Sequence, residues 1–255
     1  MQYIDKSILE NRGKTIVNNL LKACWDNDEN KYKNANYDTL SKDPFKTNFK
    51  EVLLEEQNNL CCYCMKNLSN NNTTTLEHII PHKSKKEEFD IYNHPNLNDN
   101  VLHMDEFRRD LNIIPPNKYP HDIAYHNLIA SCDSNTHCNH GRGNKPIKVL
   151  IYNPNIHDEI EYNRKGHAYS EEYLDDLATL GISTNKNLIL YRMIWSEIAN
   201  NTTINPKDLT DNKIEEIILN MDYADNFSKV IDIFFDSPSK KPELLKYIWF
   251  FTYYK

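Results

Sequence analysis

Cysteine sets the first chemistry this sequence can do. Cys61-Cys62-Tyr63-Cys64 holds a C-x2-C pair, Cys61 and Cys64, whose spacing lets two thiolates of one tight turn reach a single ion. Cys132 and Cys138 form a second pair about 70 residues on, at the looser spacing C-x5-C. Four thiolates complete a closed tetrahedral site, so the expected ion is structural Zn²⁺, with no position left for water. His137 or His140 can replace a cysteine. Cys62 points away from a turn ligated through 61 and 64, and Cys24 is isolated, so both are read as packing residues. The cysteines are too sparse for an exported disulfide framework, and clustered cysteines in an intracellular chain more often bind metal.

Three stretches must position these groups. Residues 1–58 read as a helical segment, with Ser7 capping a helix that carries Ile8, Leu9, Ile16, Leu20 and Leu21. Residues 26–43 are polar and read as a loop. Asp43-Pro44 then opens a helix carrying Phe45, Phe49, Val52 and Leu53. Residues 59–150 hold both cysteine pairs, a strand-like TTTLEHII at 73–80 and a long connection over 84–122. Residues 151–255 are mainly helical. Ser170 caps a helix that ends at Gly181; Leu188, Tyr191, Ile194, Trp195 and Ile198 mark another. Two or three more lead to the aromatic end KYIWFFTYYK, read as core or, slightly favoured, interface.

Between the cysteine pairs lie Leu76-Glu77-His78-Ile79-Ile80-Pro81 and Asn127-Leu128, and Cys138-Asn139-His140-Gly141-Arg142-Gly143 closes the segment. The order C-x2-C, E-H-I-x-P, N-L, C…C-N-x-x-R-G resembles the HNH endonucleases and their ββα-metal fold. The opening Leu53-Leu54-Glu55-Glu56-Gln57…Cys61-Cys62-Tyr63-Cys64 is similar to the subfamily containing the PtuB nucleases of Septu anti-phage systems and the HNH proteins beside certain retrons. The resemblance runs from about residue 50 to 195.

The resemblance implies an α+β fold, a zinc-clamped ββα-metal core embedded in a mostly α-helical chain. It also implies hydrolysis of phosphodiester bonds with one divalent cation, Mg²⁺ or Mn²⁺. His78 is then the general base, its ordinary pKa of about 6.5 suiting work at neutral pH. Glu77 and Asn139 supply oxygens to the cation, with His140 the alternative to Asn139. Oxygen ligands and waters suit Mg²⁺ or Mn²⁺ better than zinc. Asn127 accepts a hydrogen bond from the second ring nitrogen of His78 and fixes its tautomer. Arg142 clamps a phosphate. Two positions depart from the relatives: Asn139 stands where Asp is frequent, and Arg142 where many have Lys.

Charge bears on the partners. The 255 residues carry a net charge of −7. Residues 1–150 are near neutral at −1, while 151–255 carry −6. The balance argues against a generic polycation coating nucleic acid, yet permits a local site. The acidic C-terminal region is the better candidate for docking a protein. No GxGxxG and no GxxxxGK[ST] is present, so a built-in nucleotide site of either kind is unsupported. That fits the resemblance, which implies a separate ABC/SMC-like ATPase subunit, called PtuA in Septu. Mean hydropathy is −0.74 and no apolar run reaches about 18 residues, so no membrane span is expected. The charged start MQYIDKSILENRGK is unlike a signal peptide, which places the chain in the cytoplasm. The expected substrate is DNA. RNA, including tRNA, is one alternative; a non-catalytic zinc-stabilised adaptor is another, and a standalone restriction-type nuclease fits the acidic tail poorly.

Overall fold

The fold is described from a computed structural model, for residues 1–29, 31–107, 118–201, 203–220 and 240–255. Helix α1 (Glu10–Ala23) leads into a short hairpin, β1 (Trp25–Asp26) and β2 (Lys31–Tyr32), then α2 (Tyr37–Leu40) and α3 (Phe45–Glu56). The cysteine knuckle and β3 (Thr74–His78) follow. The long connection holds α4 (Pro95–Asn98), β4 (Val101–Leu102) and β5 (Tyr119–Pro120). Next come β6 (Leu128–Cys132) and α5 (Cys138–Arg142). The C-terminal region contains α6 (Ile156–Glu159), β7 (Glu161–Tyr162), β8 (Ala168–Tyr169), α7 (Leu174–Thr179), α8 (Lys186–Asn201), α9 (Asp211–Asn220), α10 (Lys240–Leu245) and α11 (Trp249–Tyr254). The architecture is mixed helix and sheet, and every sheet among the described residues is two-stranded. Among those residues no helix is long and apolar enough to cross a membrane.

The central ladder pairs β3 with β6 antiparallel, from Thr74 opposite Cys132 to His78 opposite Leu128. A two-stranded ribbon is marginal alone, and this one is covered. Helix α3 packs on both strands. The buried side chain of Gln57 acts as a third strand, donating to the Ala130 and Leu60 carbonyls and accepting from the Ala130 N–H at 2.7 Å. Buried Lys6 bonds the Leu128 carbonyl at 2.7 Å and the Glu56 carboxylate at 2.6 Å. Glu56 also accepts from Tyr125. Gly13 is where α1 meets this layer. A Cβ there would lie 2.2 Å from the Tyr125 ring, so only glycine fits without a shift.

Local chemistry revises several boundaries. Ser7 does not cap α1: its N–H and hydroxyl both donate to Asp5, the helix starts at Glu10, and Ile8 is 71% exposed. Residues 26–43 are not wholly loop, because Asn36 caps α2 by accepting from the Thr39 N–H. Pro44 is the cap of α3 and not its first residue. Ser170 accepts from the Tyr173 N–H, just ahead of α7. The aromatic end is core: Tyr247, Phe250 and Phe251 are fully buried, and α11 packs along α8. Residues 221–239 of the expected helical tail, and 108–117 of the long connection, lie outside the described residues.

Candidate functional site

Four sulfurs close one end of the ladder. Cys61 and Cys64 bracket a knuckle held by Cys61 N–H to Lys66 carbonyl (2.8 Å) and Met65 N–H to Cys61 carbonyl (3.1 Å). Cys132 ends β6 and Cys138 begins α5, anchored by its N–H to the Leu180 carbonyl at 2.7 Å. The four Sγ atoms lie within 4.8 Å of one another, and all four residues are buried. Cys61 to Cys138 is 3.8 Å and Cys64 to Cys132 is 3.7 Å. A tetrahedron with Zn–S of about 2.3 Å has edges of about 3.8 Å. The donor set therefore fits zinc.

The electrostatics agree. Burial opposes ionising Cys61 and Cys64, but hydrogen bonds from Cys132 and Cys138 outweigh it and bring both down, Cys64 to about 6. Cys132 and Cys138 are pushed up. Four thiols share protons this way; a divalent cation replaces those protons and stabilises all four thiolates. Two cations, Lys66 and Arg192, interact with the sulfurs. Lys66, paired with Glu243 at 2.7 Å, is raised because that carboxylate, with Cys132 and Cys64, outweighs its burial. Buried Arg192 lies over the Tyr162 ring, and its Nε and Nη2 have no hydrogen-bond partner among the described residues. His137 is no ligand here: its Nδ1 meets Ser134 Oγ at 2.7 Å and its Nε2 faces the Tyr247 hydroxyl. Cys62 and Cys24 are buried outside the group, as packing residues.

The other end of the ladder opens on a cleft of about 290 Å³, lined by Tyr37, Glu77, His78, His82, Asn139 and His140 among others. His78 is 6% exposed. Its Nε2–H donates to the Asp122 carbonyl at 2.9 Å, and the Tyr37 ring lies edge-on to it at 4.8 Å. Burial drives His78 down to about 4, against the pull of Asp122, so the ring is neutral at pH 7 and Nδ1 carries the lone pair. Glu77, next along the strand, reaches the same cleft from the strand end. Its Oε1 accepts from Arg142 at 2.8 Å. Burial raises Glu77 to about 7, with the guanidinium pulling the other way. Asn139, second residue of α5, donates through Nδ2 to Thr75 Oγ1 at 3.4 Å, which leaves Oδ1 as its open acceptor.

Two expected contacts are corrected. Asn127 does not hold His78. Its Oδ1 accepts from the Ile80 N–H, and its Nδ2 donates to the Ile80 and His121 carbonyls at 2.9 and 2.8 Å. It pins the chain leaving β3 to the chain entering β6, and the tautomer of His78 is fixed by a backbone carbonyl instead. Arg142 is not placed to clamp a phosphate. Its guanidinium is fully buried and spends its donors on Glu77 and on the carbonyls of His78, Ile79 and Lys145. A buried cation is stable only with such partners. Among the described residues the four cysteines are the one group of three or more His, Cys, Asp or Glu with converging ligand atoms. Glu77, His78 and His140 share the cleft without forming a second.

Tyr37, His82, His121 and Asp122 carry no role in the sequence reading. They sit in the segment read as loop and in or beside the long connection, where spacing gives no periodic signal. Matching against family models, curated proteins and solved structures returns nothing similar to this chain.

Proposed function

We propose that the chain is a metal-dependent endonuclease of the HNH kind that hydrolyses phosphodiester bonds of nucleic acid, DNA first. The observation that carries the reading is the cleft, in which a neutral, tautomer-fixed histidine stands beside a carboxylate and an amide oxygen. In this reading β3, β6 and α5 are the two strands and helix of a ββα-metal core, with zinc on the four cysteines as its clamp. His78 takes the proton of the attacking water at Nδ1. Glu77, through the oxygen that Arg142 leaves, and Asn139 or His140 hold a Mg²⁺ or Mn²⁺ ion, with waters completing its shell. When bound, that cation offsets the charge developing on the phosphate and the leaving oxygen. Arg142 works from behind, holding Glu77 and the strand end in place.

The same resemblance supports a two-component anti-phage complex with an ABC/SMC-like ATPase, to which the acidic region 151–255 docks. The test uses wild type and His78→Ala, each co-expressed with the neighbouring ATPase gene and incubated with plasmid DNA and total tRNA in Mn²⁺. Cutting by wild type alone is expected. Equal cutting by both removes His78 as base, and cutting by neither favours the adaptor reading. Co-purification of the ATPase with a chain lacking 151–255 would overturn the docking.

A further inference from the structure

His82 lines the same cleft as His78, with ring centroids 5.9 Å apart. The Tyr37 ring stacks on it at 5.8 Å and 20°. On its inner side lies the Asp122 carboxylate. Asp122 Oδ2 accepts from the Tyr37 N–H at 3.1 Å, while Oδ1 is buried with no hydrogen bond among the described residues. Oδ1 lies 4.0 Å from His82 Nδ1 and 4.0 Å from His121 Nε2. His121 is committed elsewhere, its Nε2 meeting the His82 carbonyl at 3.2 Å while its ring stacks on His103. A buried carboxylate oxygen without a donor is costly, and a small turn of the half-exposed His82 ring supplies one. The groups facing His82 are therefore Asp122 and His121 from the loop, His78 from the strand, and Tyr37.

Resting on the nuclease reading, we propose that His82 is a second catalytic residue, the general acid of the reaction, with Asp122 as its positioning residue. Asp122 Oδ1 holds Nδ1–H of His82 and turns Nε2–H toward the cleft. Water attacks phosphorus and gives its proton to His78 Nδ1. The bond from phosphorus to the leaving sugar oxygen breaks, and that oxygen takes the proton of His82 Nε2. The products are a phosphate monoester and a free hydroxyl. His78 ends protonated and His82 neutral, and exchange with solvent restores both.

The experiment compares two substrates. One is an oligonucleotide that wild type cuts in Mn²⁺; the other carries sulfur at the leaving bridging position, identified from the ends wild type produces. A thiolate, with a thiol pKa of about 8.5, leaves without a proton where an alkoxide does not. His82→Gln and His82→Ala should lose about 100-fold or more on the oxygen substrate and regain wild-type rate on the sulfur one. Asp122→Asn should show a smaller loss with the same rescue, and His78→Ala should be slow on both. Unchanged melting temperatures separate this from misfolding. Equal losses on both substrates, or full activity of the His82 variants on oxygen, overturn the acid role while leaving the nuclease standing. A wild type that cuts no oligonucleotide in Mn²⁺, so that no such substrate exists, overturns both.

Discussion

The two ends of the β3–β6 ladder lie roughly 13 Å apart, four residue steps of about 3.3 Å, and they are different solvents. At the Cys132 end all four donors are buried, alike and turned on one another, so the site can hold an ion with no position left open. At the His78 end the donors differ, His78 is fixed from behind by a backbone carbonyl and Glu77 by a buried cation, and both line a cleft. Helix α5 serves both: Cys138 closes the first site, Asn139 and His140 line the second, and Arg142 ties the helix to the strand. Identical soft ligands with no open position suit a structural role. Mixed ligands with one open face suit chemistry.

That contrast can be broken most forcefully at the sulfurs. Zinc on four thiolates is worth about 10–16 kcal/mol at neutral pH, so Cys61→Ser should purify with little zinc and melt about 10 °C or more lower. Wild-type zinc content and melting would show that the end is not a metal centre. At the cleft, His78→Ala should leave zinc and melting unchanged while slowing cleavage about 100- to 10,000-fold; an equal fall in stability would make the cleft a second structural site.

Arg142→Met tests the helix that joins the two ends. It strands Glu77 and three carbonyls, and urea unfolding should show a loss of about 3–5 kcal/mol. The Arg142→Met/Glu77→Gln pair should recover part of it, and no recovery would detach Arg142 from Glu77.

The smallest effect is on pH. Burial lowers His78 and His126 to about 4 and lowers His121 as well, from an ordinary 6.5. Their stabilising contribution is whole above pH 6.5 and is lost as pH falls toward 4, because the unfolded chain binds protons that the folded one does not. Glu77, raised from 4.5 to about 7, favours folding at the acid side of the same window. Three histidines outweigh one carboxyl, and the buried Met1 amine, lowered to about 5, adds in the same direction, so stability should fall from pH 7 to pH 5. Flat stability between those values, read by chemical denaturation, would mean that these histidines are hydrated in the folded chain and not buried.

The sequence by itself determined what is local or chemically exclusive. The two cysteine pairs, Cys61 with Cys64 and Cys132 with Cys138, read together as a metal site because clustered thiols flanking a His-rich segment of an intracellular chain favour metal. Thr73–Ile80 reads as a strand because β-branched residues cluster before a proline, and the Leu188–Ile198 helix because its apolar residues recur at helical spacing. The tertiary structure alone decided which way the charged and polar groups face. Arg142 looks like a surface cation in sequence, yet three carbonyls and Glu77 converge on it once α5 packs against β3. Asn127 bonds backbone from two segments that are neighbours only after the 84–122 connection closes. The aromatic end reads as core or, slightly favoured, interface until α8 covers it. Asp122 reaches His78 across 44 residues through a carbonyl that every residue carries. A backbone atom has no sequence signature, so a partner of that kind is specified by the fold and not by the residue type.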